Sequence, residues 1–348
     1  MKMNKEQFQT DLLKWYDTNQ RILPWREQPE PYRVWISEIM LQQTRVSAVI
    51  PYFNRFIETL PTLHHLANVE EEKLLKLWEG LGYYNRARNL QKAAKEIIDR
   101  FDGIIPSDKD KLETLTGIGP YTSGAISSIA FGQKYSAVDG NVLRVFARIF
   151  EIKDDIKNLE TKKMIKSKVD HLLPNQRVGD FNQALMEIGA TVCIPNGTPY
   201  CEICPLKNHC KAYKNDTVST IPKKRTKKKV PIENKTVLLL KYQDRFAIEQ
   251  RDKTGLLASM YQFPMFDHHL EIVELPDYIT KHIKFTKTLN KAIHKFTHKE
   301  WHMKTYLIEL TNEIEQYVFV SRDEIETTYS IPSAFKMHKN YIKDGLYE

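Results

Sequence analysis

Two carboxylic acids carry the acid-base chemistry open to this chain of 348 residues. Glu38 lies in VWISEIMLQQTR, with Val34 four residues before it and Leu41 three after, so on a helix it shares an apolar face. A carboxyl group on such a face is desolvated, which raises its pKa toward the range a general acid needs near neutral pH. A pKa raised by one corresponds to about 1.4 kcal/mol. The same position also suits a partly exposed Glu, or a buried ion pair with Arg26 or Arg45. Asp139 precedes GNVLRVFARIF, whose Val142, Val145, Phe146 and Ile149 make a helical face, and so reads as an N-cap. A second role is compatible with the cap, because a carboxylate at a helix start stays ionised and can oppose a developing cation.

All four cysteines, Cys193, Cys201, Cys204 and Cys210, fall in one window with the spacing C-x7-C-x2-C-x5-C. Thiols so concentrated do not look like the disulfide framework of a secreted chain. They suit a cubane iron-sulfur cluster or a four-thiolate zinc site, and spacing alone does not choose. Lone cysteines on either side of one C-x2-C differ from the doubled pairs of a zinc ribbon. No flavin or nicotinamide motif accompanies the loop, so folding and positioning are expected of it rather than redox catalysis.

Between the two acids, LETLTGIGPYTSGAI sets Gly117 and Gly119 around one apolar residue at a corner between helices. Backbone N–H groups at such a corner can hold a phosphate without reading sequence. An ordinary helix-loop-helix corner has the same spacing. The acidic residue twenty positions beyond Gly119 favours the phosphate reading, since an anchored backbone would present it.

These residues need a scaffold, and the chain is long enough for two domains, with 41% hydrophobic residues. Residues 1–214 show helical periodicity, as in LLKLWEGLGYYNRARNLQKAAKEIIDRF and FNQALMEIGATV, and are expected to be an all-helical domain with the hairpin at about 112–125 and the cysteine loop at 193–210. Residues 215–232 read as a linker, because six of the seven residues from Lys223 to Lys229 are basic. Such a linker serves solubility or also touches phosphate. In residues 233–348, KTVLLLKY, DRFAIEQR and HMKTYLIEL are β-rich runs between turn signals, which predicts an α+β domain. The net charge of +8 favours an anionic partner such as nucleic acid. No run of eighteen apolar residues and no signal-peptide core occurs, so a membrane role is not expected and a cytosolic location is.

Taken together, LPWR, SEIMLQQTR, LWEGLGYYNRARNL, LTGIGPYTSGAI, VDGNVLRVFAR, FNQALMEIGA and the cysteine loop resemble the helix-hairpin-helix DNA glycosylases, of the MutY-type adenine-specific family. The resemblance covers nearly the whole chain. It implies a monofunctional enzyme of base excision repair in the bacterial cytosol, associated with the nucleoid, carrying one [4Fe-4S] cluster on the four cysteines. Its partner would be double-stranded DNA with adenine opposite 8-oxoguanine or guanine, and it would act as a monomer. Adenine would be flipped from the duplex and its glycosidic bond broken. Glu38 would protonate N7, and Asp139 would stabilise the oxocarbenium-like sugar electrostatically or through a transient covalent bond. Tyr121 and Asn141 would organise the nucleotide and the attacking water.

The resemblance also implies that Trp25, Arg26, Leu41 and Gln183 line the adenine pocket, that Gln43 and Tyr83 wedge into the gap left in the duplex, and that Gly117 and Gly119 hold the DNA backbone. Bifunctional relatives place a strand-cleaving lysine where this chain has Tyr121, and a phenol forms no imine. Residues from Arg251 through GLLASMYQFP resemble MutT-like (Nudix) domains, without the acidic REx2Ex2E signature of the hydrolases. Phe296, Thr297 and His298 match the loop that senses 8-oxoguanine, with Thr where Ser is commoner. The loop from Cys193 to Cys201 is one residue longer than usual in the family and has no basic residue. A pyrimidine glycosylase and a catalytically silent DNA binder are the competing readings. The C-terminal domain argues against the first, and retention of both Glu38 and Asp139 against the second.

Overall fold

The computed structural model describes residues 3–223 and 229–345. The centre of the basic linker, residues 224–228, lies outside the described residues. By spatial contact the chain groups into two compact units, Met1–Asn68 with Arg88–Thr226 and Val69–Ala87 with Lys227–Glu348.

All regular elements described in the first unit are helices. Asn4 caps the helix Lys5–Asn19 by accepting from the Gln7 N–H at 3.1 Å, and Phe8, Leu12 and Tyr16 recur at helical spacing to bury one stripe. Phe8 packs against Phe146 and Phe181 with ring centroids 6.3 Å apart in both pairs, joining the first helix to the helices Gly140–Ile149 and Val178–Thr191. Truncating a fully buried Phe of this kind costs about 3–5 kcal/mol. Helix Pro31–Leu41 opens with proline, whose missing N–H costs nothing in a first turn, and is buried along most of its length from Tyr32 to Met40. Glu38 therefore sits in the interior.

At the hairpin, Gly117 turns the chain with φ +78°, a conformation that a side chain would strain. Helix Pro120–Ile129 then starts from Gly119. Gly189 serves close packing instead. A Cβ there would stand 2.5 Å from the Asn141 Cβ, so its absence lets the helix Val178–Thr191 lie against the start of Gly140–Ile149.

The second unit is built on a sheet of β1 (Ile232–Tyr242), β2 (Arg245–Gln250), β3 (Tyr261–Gln262), β4 (Met265–Phe266), β5 (Ile283–Lys295), β6 (Glu300–Leu310) and β7 (Val318–Ser321). The order is β3-β2-β1-β6-β5, with β4 paired to β1 and β7 to β2. β1 and β6 run parallel, whereas β5 and β6 are antiparallel with two register shifts. Val237 and Leu239 face one core with Phe263 and Trp301, and Leu238 and Leu240 face another with Tyr306 and Phe319. A strand covered on both sides reads as a continuous apolar run, which is why TVLLL shows no alternation. Residues 69–87, helical in pattern, belong with this unit: the Lys76 ammonium donates to the carbonyls of Ile325 at 3.2 Å and Tyr329 at 2.8 Å, and Lys339 pairs with Glu79 at 2.7 Å.

Candidate active site

Glu38 is 6% exposed, and its carboxyl group accepts a hydrogen bond from the Tyr121 hydroxyl, which comes from the first turn of helix Pro120–Ile129. Burial pushes the Glu38 pKa up to about 7; the Tyr121 hydrogen bond and the Arg26 charge oppose the rise, and the Asp139 charge adds to it. Burial and the two neighbouring acids raise the Tyr121 phenol well above its ordinary value, so it remains a donor. A carboxyl group that titrates near neutrality can give up a proton at physiological pH.

Asp139 is the N-cap of helix Gly140–Ile149. One oxygen accepts from the Val142 N–H at 2.8 Å and the other from the Asn141 side-chain amide at 2.7 Å. The cap alone would leave it strongly ionised. Burial instead moves its pKa above the ordinary aspartate value, against the hydrogen bonds of Val142 and Asn141 and the Arg144 charge. Two buried residues fix its surroundings. Asn182 accepts from the Ala137 N–H at 3.1 Å and donates to the Tyr135 carbonyl at 2.8 Å, which clamps the segment leading into Asp139. Arg144 donates to Asn141 Oδ1 at 2.9 Å, to the Gly189 carbonyl at 2.7 Å and to the Cys193 carbonyl at 2.9 Å.

Glu38, Tyr121, Asp139 and Asn141 open on one cavity of ≈ 920 Å³, and Trp25, Arg26, Leu41, Gln43 and Gln183 line the same space. That volume suits a nucleotide-sized group. Trp25 is held edge-on to Phe53 at 5.3 Å. The Arg26 guanidinium donates to Gln183 Oε1 at 3.0 Å, to the Arg21 carbonyl at 3.0 Å and to Glu187 Oε2 at 2.8 Å. Because a guanidinium only donates, it orients the Gln183 carboxamide with oxygen toward itself. Gln43 is exposed, with φ +61°, just beyond the end of helix Pro31–Leu41.

The four cysteines line a second cavity, together with Arg148, Ile188 and Leu206. Arg148 donates to Cys193 Sγ at 3.1 Å and to the Ile221 carbonyl at 2.8 Å. Burial pushes Cys204 up to about 12 and moves Cys201 and Cys210 upward, with the Arg148 charge opposing the rise at Cys201. Among the described residues, no three His, Cys, Asp or Glu side chains are gathered closely enough for a single metal ion. The donor set is four sulfurs around a shared space.

In the second unit, Phe296, Thr297 and His298 form the turn between β5 and β6, closed by a hydrogen bond from the Phe296 N–H to the Lys299 carbonyl at 2.8 Å. Phe296 packs edge-on against Trp301 at 4.8 Å, which leaves Thr297 and His298 exposed. The hydroxyls of Thr297 and Tyr83 are 2.8 Å apart. Tyr83 is 46% exposed with φ +50°, a backbone state uncommon for a bulky residue and concentrated at functional sites.

Arg21, Asn182, Arg144, Glu187 and Gly189 shape the site and were not singled out from the sequence. Glu187 had a signal: it lies four residues after Gln183, hence on the same helical face, inside an otherwise apolar stretch. The others are visible only through contacts between distant segments.

Residues 36–174 match the HhH-GPD superfamily base excision DNA repair protein family, and residues 236–338 match the NUDIX domain. The chain is 38% identical over 293 residues to the adenine DNA glycosylase of Buchnera aphidicola subsp. Baizongia pistaciae, covering 84% of this chain and 83% of that one. Among solved structures it resembles a thermostable thymine-DNA glycosylase, with a TM-score of 0.56 and 29% identity over 61% of this chain and 97% of that one. A non-covalent endonuclease III–DNA complex gives a TM-score of 0.52 and 26% identity over 62% and 98%. No helix among the described residues is long and apolar enough to cross a membrane.

Proposed function

The chain belongs to the adenine DNA glycosylase family of base excision repair, an adenine-specific DNA N-glycosylase, and from that premise we propose that it hydrolyses adenine from pairs with 8-oxoguanine or guanine in double-stranded DNA, with Glu38 as general acid. The observation that carries the catalytic assignment is the buried Glu38 carboxyl, raised to about 7 and opening on the same cavity as Asp139.

In this reading the flipped adenine enters the cavity between Trp25, Leu41 and Gln183. Glu38 gives its proton to N7. The electrons of the bond between N9 and the sugar leave with the base, and charge builds on the sugar ring. Asp139 opposes that charge, through its field or a transient bond, while Asn141 holds its orientation at 2.7 Å. Water adds to the sugar through its oxygen, replacing any transient bond to Asp139, its released proton restores the Glu38 carboxyl, and free adenine and an abasic site result. With Tyr121 at the position where bifunctional relatives carry lysine, no Schiff base forms and the strand is not efficiently cut.

The open space before Gly119 supports a backbone phosphate at the hairpin, with Gly117 setting the turn. Exposure and left-handed backbone at Gln43 and Tyr83 support their use as wedges in the duplex. The exposed hydroxyl of Thr297 and the imidazole of His298 support recognition of 8-oxoguanine, with Phe296 anchoring the turn. Cys193, Cys201, Cys204 and Cys210 would hold one [4Fe-4S] cluster, for which four sulfurs ringing a cavity are the required donors. Bound there, the cluster would tie the four cysteines of the loop together and so support its fold. The enzyme would act as a monomer in the bacterial cytosol.

The likeness to the thymine-DNA glycosylase covers 61% of this chain, whereas the likeness to the Buchnera adenine DNA glycosylase covers 84%. The test is to identify the base released from duplexes with adenine opposite 8-oxoguanine, guanine or thymine, and with thymine opposite guanine. Adenine release fastest opposite 8-oxoguanine, without borohydride-trapped adduct, is expected. Thymine release, or a strong adduct, would overturn the reading, and an unchanged preference in His298→Ala would remove the sensing role of the turn.

A further inference from the structure

We propose that Glu187 is a positioning residue for the acid step: it gathers the Arg21 and Arg26 guanidinium groups onto its own carboxylate and so keeps the Arg26 charge from drawing the proton off Glu38. This rests on the reading of Glu38 as the general acid.

Glu187 has a side chain only 1% exposed, on the helix Val178–Thr191. Arg21 donates through Nε to one oxygen and through Nη2 to the other at 3.2 Å, and Arg26 Nη2 meets that second oxygen at 2.8 Å. Burial alone would push this carboxyl up. The two guanidiniums outweigh burial and hold it below the ordinary glutamate range, so it stays ionised. Arg26 spends its Nε, Nη1 and Nη2 on Gln183, the Arg21 backbone and Glu187, which fixes where its charge lies.

That charge matters because Arg26 shares the cavity with Glu38 and favours its ionised form. Polar groups share the cavity with Glu38 from several elements, Arg21, Asn141 and Gln183 among them. Tyr121 comes from helix Pro120–Ile129, Asp139 from the start of Gly140–Ile149, and Arg26 from the turn Pro24–Glu27. From the helix Val178–Thr191 come Glu187 and the Met186 thioether, with Tyr121 Oη 3.7 Å from the sulfur. Lys157, Lys162, Lys163 and Lys166 line the same cavity, and Lys163 and Lys166 have acidic partners of their own. A general acid is useful only while it keeps its proton, and an uncompensated guanidinium nearby works against that. Glu187 supplies the compensation from the side of Arg26 that already carries its hydrogen bonds.

The experiment is the pH dependence of single-turnover adenine release from a duplex with adenine opposite 8-oxoguanine, for the full chain and the variants Glu187→Gln, Glu187→Asp and Arg26→Gln. The full chain should lose rate as pH rises past about 7. In Glu187→Gln that limb should move lower by about one on the pH scale, so that the ratio of rates at about pH 6 and pH 8 widens about fivefold. Glu187→Asp should hold the limb near its original place, and Arg26→Gln should move it upward even if Glu187→Gln folds poorly. A uniform loss of rate at every pH in Glu187→Gln, with an unmoved limb in Arg26→Gln, would overturn the proposal and leave the general-acid reading intact. A full-length enzyme with no alkaline limb would remove that reading and this proposal together, before any variant is made.

Discussion

Asn141 donates its side-chain N–H to Asp139 at 2.7 Å and accepts from Arg144 at 2.9 Å, so its amide is oriented from both ends. The other Asp139 oxygen is fixed by the Val142 N–H at 2.8 Å. Replacing Asn141 with Ala frees one carboxylate oxygen without removing the cap. Single-turnover base release should fall about 100-fold, as expected when a reacting group is misplaced by about an ångström, while duplex affinity changes little. Equal loss in binding and release would mean that Asn141 acts on DNA rather than on Asp139.

The same arginine reaches the carbonyl of Cys193, and Arg148 reaches its sulfur at 3.1 Å. Removing whatever the four thiols hold, by chelation or by Cys204→Ser, should therefore disturb more than the loop. We expect loss of base release together with faster proteolysis between residues 193 and 221, and retention of most helical circular dichroism. Iron in the purified protein with a visible absorption band is expected; stoichiometric zinc in a colourless protein would contradict the cluster.

Glu38 links pH to stability. Its pKa is 4.5 in ordinary surroundings and about 7 here, a difference worth about 3 kcal/mol. Below the lower value both folded and unfolded chains carry the proton. Between the two values the unfolded chain releases it first, so stability falls as pH rises through this window and stays lower above it. Glu38→Gln removes the penalty and should raise the apparent Tm by a few degrees at about pH 8 and hardly at all at about pH 4. A gain of the same size at both pH values would show that burial of the charge is not the cause.

How far the site was legible from the sequence depended on whether its cause was local. The burial of Glu38 followed from Val34 and Leu41 on one helical face, and the Asp139 cap from the apolar face that begins at Val142. The Tyr121 hydrogen bond spans 83 positions, and the Arg21 and Arg26 contacts to Glu187 span 166 and 161, distances over which periodicity carries no information. β1, β2 and β6 announced themselves as β-rich runs, whereas β5, exposed and lysine-rich along much of its length, did not. Within residues 69–87 the helical pattern matches the helix Glu71–Leu77 and the start of Asn85–Phe101 but not the turns between them, and it carries no sign that Lys76 and Glu79 find partners near the C-terminus.

The 2.8 Å contact between the Tyr83 and Thr297 hydroxyls couples two residues that we propose meet the DNA. Thr297→Val and Tyr83→Phe should each reduce the preference for 8-oxoguanine over guanine opposite the adenine. The double variant should lose less than the sum, with a coupling of about 0.5–1.5 kcal/mol. Strict additivity would mean that the two hydroxyls act independently.

Protonation of the departing base by Glu38 is the step on which the proposed mechanism turns. Single-turnover adenine release opposite 8-oxoguanine should be measured for the full chain and for Glu38→Gln, with duplex binding measured alongside. Binding is expected to match while release falls roughly 10²- to 10⁴-fold in the variant, the range for loss of a positioned general acid. Unchanged release at matched binding would contradict a general-acid role for Glu38.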